Sequence, residues 1–493
     1  MKRFTFLLPF AIILASCDGM FSSLNSLASS TSASSASVSS TLSGSTSQLD
    51  GNVTIDLYNL NDFHGAVDHN PGNKEIGINR LAAYFKTQLA RNANSVFLSS
   101  GDMWQGSADS NITRGRLVVD AMNQIGFSAM AIGNHEFDWT DEYLFLNQTR
   151  SDFPLLGINI MDKATNQRAD FADASIMIER SGIQIGIIGT IGASLESTIL
   201  TSAVAPYEFL PYTNLVKNES QRLKNLGADL IVLLNHDGTV ESGAMPYVDA
   251  VFNGHTHRKE DFHIAGKPVY QGLANGQAIS HVRFVVNTET MIPSFVQSES
   301  GVYTYDALVN SNQFPLEDSQ MKALYDEYLI NEINVVKNEV IGEADGAWSR
   351  QQLGNFAVDE MLAYGQSVNQ DVVASFHNTG GVRSTIDAGE VTYGELYKAF
   401  PFDNELMIVK VTGSQLLWWL SQGLYTRTIP NLTPVVNTQT YWIISINYLT
   451  EKNLDSSSYP HDLDTVINTY QYIREQLKTR WLSEGTIRAS DYN

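Results

Sequence analysis

Five short segments of the sequence place Asp, Asn or His directly after an apolar run. Their polar residues are Asp62 and His64, Asp102, Asn134 and His135, His236, and His255 and His257. Five of the ten histidines of the chain therefore fall at these positions, which a scattered surface population would not produce. In an extended segment, residues two apart point to the same side, so each Asp-x-His or His-x-His pair can face one point.

These side chains are typical of a transition-metal site. Carboxylate, imidazole and amide oxygen together suit Zn, Mn, Fe or Co rather than Ca or Mg alone. About seven such ligands are too many for one tetrahedral ion and suit two ions that share a bridging carboxylate. Each segment alone has another interpretation, since Asp102 also suits a turn or helix N-cap, and glycine-flanked histidines occur in ordinary loops. The five segments together favour the metal interpretation.

Strand and helix patterns alternate along residues 52–257 and predict an α/β fold. Strands are predicted directly before the five segments, over 53–60, 96–99, 129–132, 230–234 and 247–252. Helical spacing predicts intervening helices over 78–90, 117–125 and 215–226. The carboxyl ends of strands are where α/β folds commonly place their chemistry, so we expect the polar residues to meet there.

A second region is predicted after a long polar amphipathic stretch, residues 316–340, which is typical of a connecting helix. The patterns that follow predict helix over 353–364, strands over 371–376 and 406–411, and a closing helix over about 464–481. The resulting division is a signal peptide 1–16, a tether 17–50, a first domain 51–300, a linker with the connecting helix 301–340, and a second domain 341–493.

The charge of the chain restricts its partners. A net charge of -22 makes a nucleic-acid polymer a poor ligand, because phosphate backbones are bound by clustered Lys and Arg. A site for an anionic substrate in such a protein must create its own positive charge, which bound metal ions would supply. The sequence indicates no protein partner.

The amino-terminal residues predict export. Lys2 and Arg3 precede an apolar run, and residues 14–17, Leu-Ala-Ser-Cys, resemble a bacterial lipobox, which implies cleavage before Cys17 and lipid attachment to its sulfur. The alternative is an ordinary signal peptide with an incidental cysteine. Residues 21–48 are almost wholly Ser, Thr, Ala, Leu and Gly, which is typical of a flexible tether. We therefore expect a lipoprotein anchored to the outer face of the cell membrane.

The five segments resemble the sequence blocks of the calcineurin-like metallophosphatases, and their spelling is closest to the secreted 5′-nucleotidase and UDP-sugar hydrolase family. The blocks are Asn-Asp-Phe-His-Gly at 61–65, Gly-Asp-Met-Trp-Gln-Gly at 101–106, Gly-Asn-His-Glu-Phe-Asp at 133–138, the lone His236, and Gly-His-Thr-His at 254–257. The resemblance covers residues 52–490. It implies an α/β protein with a metallophosphatase β-sandwich flanked by helices, followed by a second α/β domain that binds substrate.

The resemblance also implies a division of labour among these residues. The first metal ion would be held by Asp62, His64, Asp102 and His257, and the second by Asp102, Asn134, His236 and His255. Asp102 would bridge the two ions, and a hydroxide between them would attack phosphorus in line. His135 would steady the phosphoryl oxygens or the leaving group, and Asp138 would orient His135. No role is implied for Glu136.

Four residues of the second region are implied to bind substrate. Asn378 and Arg383 lie in Asn-Thr-Gly-Gly-Val-Arg, where the arginine would grip phosphate and Asn378 would reach the base or the edge of the site. Phe402 and Tyr448 would stack on the two faces of a nucleobase. The alternative for each aromatic is a core residue, because strands are rich in aromatic side chains.

The expected activity is hydrolysis of 5′-nucleotides by two divalent ions, Zn, Mn, Co or Fe, outside the cell. The chain departs from the family where Glu451-Lys452-Asn453 replaces the usual Gly-Gly-Asp, and Arg350 stands out of register with the family's arginine. These departures leave open 2′,3′-cyclic nucleotides, 3′-nucleotides and UDP-sugars as substrates. A non-catalytic nucleotide-binding lipoprotein is a further alternative, and it predicts missing metal ligands.

The role implied for His135 is testable. His135→Ala should retain bound metal and lose most of its turnover, since the imidazole is expected to act on the phosphoryl group rather than on the metals. Metal content by elemental analysis and kcat on a nucleotide check this. Intact metal content together with an unchanged kcat would contradict the assignment.

Overall fold

The structure of the protein is a computed structural model that describes residues 51–311, 314, 316–451 and 459–493. The predicted signal peptide, the tether and Cys17 lie outside these residues and stay predictions. Within the described ranges, no helix is long and apolar enough to cross a membrane.

The first region is built from short strands and intervening helices. Its strands are β1 (Asn52–Leu60), β2 (Ser95–Ser99), β3 (Phe127–Ala131), β4 (Leu155–Leu156), β5 (Ile160–Asp162), β6 (Gln167–Arg168), β7 (Ser175–Arg180), β8 (Ile183–Ile191), β9 (Tyr207–Phe209), β10 (Leu230–His236), β11 (Ala250–Asn253), β12 (Lys259–Ile264), β13 (Lys267–Gly272), β14 (Ala278–Asn287), β15 (Ile292–Phe295) and β16 (Gly301–Thr304). Its helices are α1 (Ile78–Arg91), α2 (Ala108–Ile112), α3 (Arg116–Ile125), α4 (Thr140–Arg150), α5 (Thr201–Val204), α6 (Thr213–Asn225) and α7 (Tyr305–Asn310).

Two sheets of this region pack face to face. One has the order β15-β14-β1-β2-β3-β4 with β16 paired to β14, and the other has the order β12-β13-β11-β10-β8-β7. Alternate apolar residues of both sheets, such as Leu57 of β1 and Val232 of β10, form one buried core between them. Helices α1 and α3 cover the outer face of the first sheet, and α6 covers that of the second. This confirms the predicted sandwich flanked by helices.

The pairing of strands brings the five polar segments to one edge. Strands β1, β2 and β3 are parallel neighbours in the first sheet, and β10 and β11 are parallel neighbours in the second. Parallel neighbours end at the same side of a sheet, so the segments that follow them converge. The sandwich therefore holds the candidate ligands on five rigid strand ends.

The connecting stretch is helical. It consists of α8 (Ser319–Tyr328), a π-helical turn (Leu329–Ile333) and α9 (Asn334–Lys337). Before it, β16 still belongs to the first sheet, four residues beyond the predicted boundary at residue 300. The division into domains at 300 and 340 stays a prediction.

The second region contains a mixed sheet of order β21-β18-β22-β20-β23 and a separate three-stranded sheet of order β19-β17-β24. Its strands are β17 (Val340–Ala344), β18 (Val372–His377), β19 (Gly389–Thr392), β20 (Glu405–Thr412), β21 (Tyr425–Thr428), β22 (Thr440–Ile446), β23 (Asp462–Tyr472) and β24 (Thr486–Ile487). Its helices are α10 (Arg350–Val368), α11 (Tyr393–Ala399), α12 (Gly413–Leu420), α13 (Asn447–Glu451) and α14 (Ile473–Glu484). These elements share a core that contains Trp348, Trp419 and Trp481, which agrees with the predicted second α/β domain.

One sequence prediction in this region is wrong. Residues 464–472 were expected to be helical but lie in β23, and the closing helix α14 begins only at Ile473. The strand pairs antiparallel with β20, where Ile467 lies opposite Ile408. Pairing with a distant strand decided the outcome, because β-branched and aromatic residues such as Ile467 and Tyr472 fit a pleated sheet better than a helix.

Candidate functional site

Asp62, His64 and His257 bring their ligand atoms together at the ends of β1 and β11. The Nε2 atoms of His64 and His257 face each other at 3.0 Å, and Asp62 Oδ1 lies 3.5 Å from His257 Nε2. His64 Nδ1 donates to the backbone carbonyl of Gln105 at 2.9 Å, which leaves its Nε2 as a lone-pair donor. Burial lowers the pKa of His257 to about 4, so this imidazole is neutral at pH 7 and able to coordinate.

Asp102, His236, His255 and Asn134 form a second group beside the first. His236 Nε2 lies 3.1 Å from Asp102 Oδ2 and 3.1 Å from Asn134 Oδ1. His255 Nδ1 lies 3.0 Å from the same Asn134 oxygen. Carboxylate, amide oxygen and two imidazoles thus converge on one point, which is a suitable donor set for a divalent transition metal.

The hydrogen bonds and the pKa of His236 indicate whether this second group suits a cation. Its Nδ1 donates to the carbonyl of Ser100 at 2.6 Å, so its Nε2 faces the oxygens of Asp102 and Asn134 with a lone pair unless it gains a second proton. Asp102 Oδ2 is buried and has no hydrogen-bond donor. Burial lowers the pKa of His236, but Asp102 and Asp62 outweigh burial and raise the pKa to about 10. This position therefore favours positive charge strongly, which a metal ion satisfies as well as a proton does.

The backbone at the candidate ligands is strained. Five of them have left-handed φ angles, namely Asp62 (+50°), His64 (+50°), Asp102 (+55°), His255 (+79°) and His257 (+57°). Residues with a Cβ rarely adopt this conformation, and where it persists the surrounding structure holds it at a cost of about 1–3 kcal/mol each. Such strain clusters at functional sites, so its presence at five neighbouring residues supports a functional role for them.

His135 and Asp138 lie at the rim of the two groups, in a short 3₁₀ turn after β3. His135 Nδ1 donates to Asp138 Oδ2 at 2.7 Å, which fixes the tautomer and leaves Nε2 as the free ring nitrogen. Burial lowers the pKa of His135, but Asp138 and Asp102 outweigh burial and raise the pKa to about 9. Since the ring of His135 lies 5.3 Å from that of His64, the imidazole is close to the first group without joining its ligand atoms.

Phe402 and Arg383 of the second region reach this site. The Phe402 ring centroid is 6.0 Å from that of His135, and the Arg383 guanidinium lies over the Phe402 ring at 5.2 Å. A cavity of about 720 Å³ is lined by both residues and by His64 and His257. Burial lowers the pKa of Arg383, although its guanidinium stays charged at neutral pH and faces the negative field of Asp138.

The other two predicted substrate residues do not line this cavity. Among the described residues that line it, neither Asn378 nor Tyr448 is present. Asn378 follows β18, and its Oδ1 is buried without a hydrogen-bond donor among the described residues. Tyr448 lies in α13, half-buried against the core of the second region, and its phenol contributes to the electrostatic environment of Arg383.

Two side chains of the first region bind the residues on either side of Phe402, in the segment 401–403 (called the Phe402 loop). Asn111 Nδ2 donates to the carbonyl of Pro401 at 2.9 Å, and Arg114 Nη1 binds Asp403 Oδ2 at 2.5 Å. Arg474 of the second region binds the other carboxylate oxygen of Asp403 at 2.5 Å. Sequence reasoning missed these residues because no local pattern marks a contact between regions about 290 positions apart along the chain.

Comparison with known families identifies both regions. The calcineurin-like phosphoesterase family matches residues 57–259, and the 5′-nucleotidase C-terminal domain matches residues 333–433. The chain therefore carries a calcineurin-like phosphoesterase domain followed by a 5′-nucleotidase C-terminal domain. It is therefore a metal-dependent phosphoester hydrolase, and the two ligand groups agree with the two divalent ions that this family uses.

Individual relatives of the phosphoesterase are distant. A probable 5′-nucleotidase of Treponema pallidum is 24% identical over 446 residues, which cover 74% of each chain. The endonuclease YhcR of Bacillus subtilis is 26% identical over 405 residues, which cover 74% of this chain but only 32% of that protein. The solved structure of a 5′-nucleotidase precursor from Thermus thermophilus shares the fold, with a TM-score of 0.71 at 19% identity over 88% of this chain and 97% of that one.

Gly133 allows the two loops of the phosphoesterase site to approach each other. A Cβ at this position would lie 2.3 Å from Asp102 Oδ1 and 2.7 Å from Asp102 N, well inside contact distance. His135 N also donates to Asp102 Oδ1 at 2.8 Å across the same gap. Only glycine therefore fits between the loop that carries Asp102 and the loop that carries Asn134 and His135.

Gly133→Ala should displace Asp102 and reduce kcat/KM on a phosphoester by about 10²-fold or more, because small misplacements of reacting groups cost this much. Gly301→Ala is the control, since the nearest neighbour of its added methyl is an Asp261 oxygen at 3.7 Å. Steady-state kinetics of residues 51–493 and the metal content of each variant check this. Equal kcat/KM in the two variants would show that the gap at Gly133 is not required.

Proposed function

We propose that the phosphoesterase removes phosphate from 5′-nucleotides outside the cell. The observation that carries the proposal is the position of Phe402 and Arg383, which stand beside His135 and line the same cavity as the first ligand group. A phosphoester at the metal groups would meet a guanidinium and an aromatic face, which are the groups that recognise phosphate and a nucleobase. This juxtaposition supports a nucleotide over a simple phosphate ester.

The proposed ligand sets are those implied by the sequence. One ion would be held by Asp62, His64, Asp102 and His257, and the other by Asp102, Asn134, His236 and His255. When bound, the ions supply Lewis-acid activation of the attacking water and charge to hold the phosphate. The identity of the metals among Zn, Mn, Co and Fe remains part of the proposal.

The chain's own residues would then orient the substrate and move a proton. His135, with its Nδ1 proton held by Asp138, presents Nε2 to the phosphoryl oxygens or the leaving oxygen, where it stabilises developing negative charge. Arg383 binds an anionic group, and Phe402 and Tyr448 bind the base, with Asn378 at the edge of the site.

The location and the domain division are proposals as well. The sequence of residues 1–17 supports an exported lipoprotein anchored through Cys17, and one relative, at 24% identity, is titled a cell wall protein of Listeria monocytogenes. The proposed domains are 51–300 and 341–493, joined by the linker 301–340. The separate core of the second region supports this division.

Other phosphoesters are the second candidate substrates. A relative from Bacillus subtilis, 25% identical over 432 residues, is titled a trifunctional nucleotide phosphoesterase. The departure from the family pattern at residues 451–455 adjoins Tyr448, so the base pocket is the part that differs. This favours testing 2′,3′-cyclic nucleotides, 3′-nucleotides and a UDP-sugar beside 5′-nucleotides.

A substrate panel tests the function. Residues 51–493, purified without chelator and supplied with Mn, Co or Zn, should release phosphate from AMP and UMP faster than from 3′-AMP, 2′,3′-cyclic AMP or a UDP-sugar. EDTA should abolish the activity, and re-addition of metal should restore it. Faster turnover of a cyclic nucleotide or UDP-sugar would replace the proposed substrate, and silence on every ester with metal bound would favour the non-catalytic alternative.

Phe402→Ala tests base recognition separately from chemistry. Loss of one stack of about 1–3 kcal/mol should raise KM for AMP by about 5- to 150-fold. The rate on p-nitrophenyl phosphate, which lacks a base, should change little by comparison. A similar loss on both substrates would assign Phe402 to packing of the loop rather than to base binding.

A further inference from the structure

Glu136 is the one acidic residue of the 133–138 segment without a role in the proposed function. Its side chain is fully buried, with 0% exposure, in the 3₁₀ turn after β3. Its carboxylate accepts three backbone hydrogen bonds of 2.8 Å, from the N–H groups of Asp102, Met103 and Gly133. Two of these donors lie in the loop after β2, and the third lies in the loop after β3.

The three bonds join the two loops that carry Asp102 and Asn134. Glu136 Oε2 binds the N–H of Asp102 and that of Gly133 together, while Oε1 binds the N–H of Met103. Asp102 has a φ of +55°, so its backbone requires an external restraint to stay in place. Charged acceptors make stronger bonds to N–H groups than neutral ones, and a buried carboxylate is costly unless all such bonds form.

We propose that Glu136 is a positioning residue that sets the spacing between Asp102 and Asn134, and through them the geometry of the second metal. The proposal rests on the proposed ligand sets. Glu136 belongs to neither group of convergent ligand atoms, and both of its oxygens accept backbone hydrogen bonds. It acts by holding the strained conformation in which Asp102 contacts His236, whose Nε2 also contacts Asn134.

Glu136→Gln is the variant that separates this role from simple packing. Glutamine has the same size, but one of its two terminal groups is NH₂, which cannot accept the N–H bonds that a carboxylate oxygen accepts. In either orientation of the amide the loop after β2 loses one bond, that of Met103 or that of Asp102, and the N–H group there faces a second donor; in the second orientation Gly133 loses its bond as well. The fold around the segment keeps its volume, so a change in metal binding reports on the restraint between the loops.

Glu241→Gln is a matched control. Glu241 also clamps backbone, since its carboxylate accepts from the N–H of Tyr212 at 3.0 Å and from that of Thr213 at 2.8 Å, at the start of α6. It contacts no candidate ligand in these bonds. The control reports what the loss of an ordinary carboxylate clamp does to stability and to metal uptake.

The experiment titrates Mn²⁺ into chelator-stripped residues 51–493 by calorimetry. We expect two ions for the wild-type chain and for Glu241→Gln, with equal affinities. For Glu136→Gln we expect one ion of unchanged affinity and a second bound about 10- to 100-fold more weakly, the usual effect of removing a residue that supports a metal ligand. At saturating Mn²⁺, kcat on AMP should fall while KM stays close to wild type, because Phe402 and Arg383 are untouched.

The outcomes separate the inference from the proposed function. Two ions bound to Glu136→Gln with wild-type affinity and wild-type kcat would overturn the inference and leave the function standing. A wild-type chain that takes up fewer than two ions would remove the proposed ligand sets and this inference with them. If Glu136→Gln does not fold, Glu136→Asp is titrated instead. Aspartate keeps the charge, but its side chain is one methylene shorter. An unchanged affinity of Glu136→Asp for the second Mn²⁺ ion also overturns the inference.

Discussion

Two fully buried carboxylates, those of Asp62 and Asp102, impose the constraint on which the rest of the structure depends. Burial raises the pKa of Asp62 to about 7, and the adjacent charge of Asp102 adds to the effect. Two such groups cannot both stay ionised in a protein interior without compensating positive charge. Divalent ions held by the proposed ligand sets would remove this cost, and the residual positive charge would attract a phosphate in a protein of net charge -22.

The β-sandwich stabilises the strained backbone conformations of the candidate ligands. Left-handed backbone at five candidate ligands costs free energy that the apolar core between the sheets must offset. The strained residues lie two to four positions after β1, β2 or β11, so the paired strands fix where their loops begin. Within the loops, Gly133 allows the segments after β2 and β3 to pack closely, and the Glu136 carboxylate accepts hydrogen bonds from both segments.

The second region depends on the first for the placement of its substrate residues. Asn111 and Arg114 bind the residues on either side of Phe402. Arg474 of the second region binds the second carboxylate oxygen of Asp403. Burial raises the pKa of Asp403, but Arg474 and Arg114 outweigh burial and lower it, so the carboxylate stays charged at neutral pH. Because a buried ion pair is costly to break by removing one partner, this contact keeps the aromatic ring next to His135.

The sequence by itself determined the candidate ligands, their position after strands and the α/β class, because apolar runs followed by Asp, Asn and His are local patterns. It also identified His135 with Asp138, three residues apart and joined in the structure by a 2.7 Å bond. Only the tertiary structure decided that residues 464–472 form a strand, that Glu136 clamps two loops, and that Asn111 and Arg114 hold the Phe402 loop. These features depend on partners up to about 290 positions away, and the energy of such long-range contacts leaves no periodic trace in the sequence.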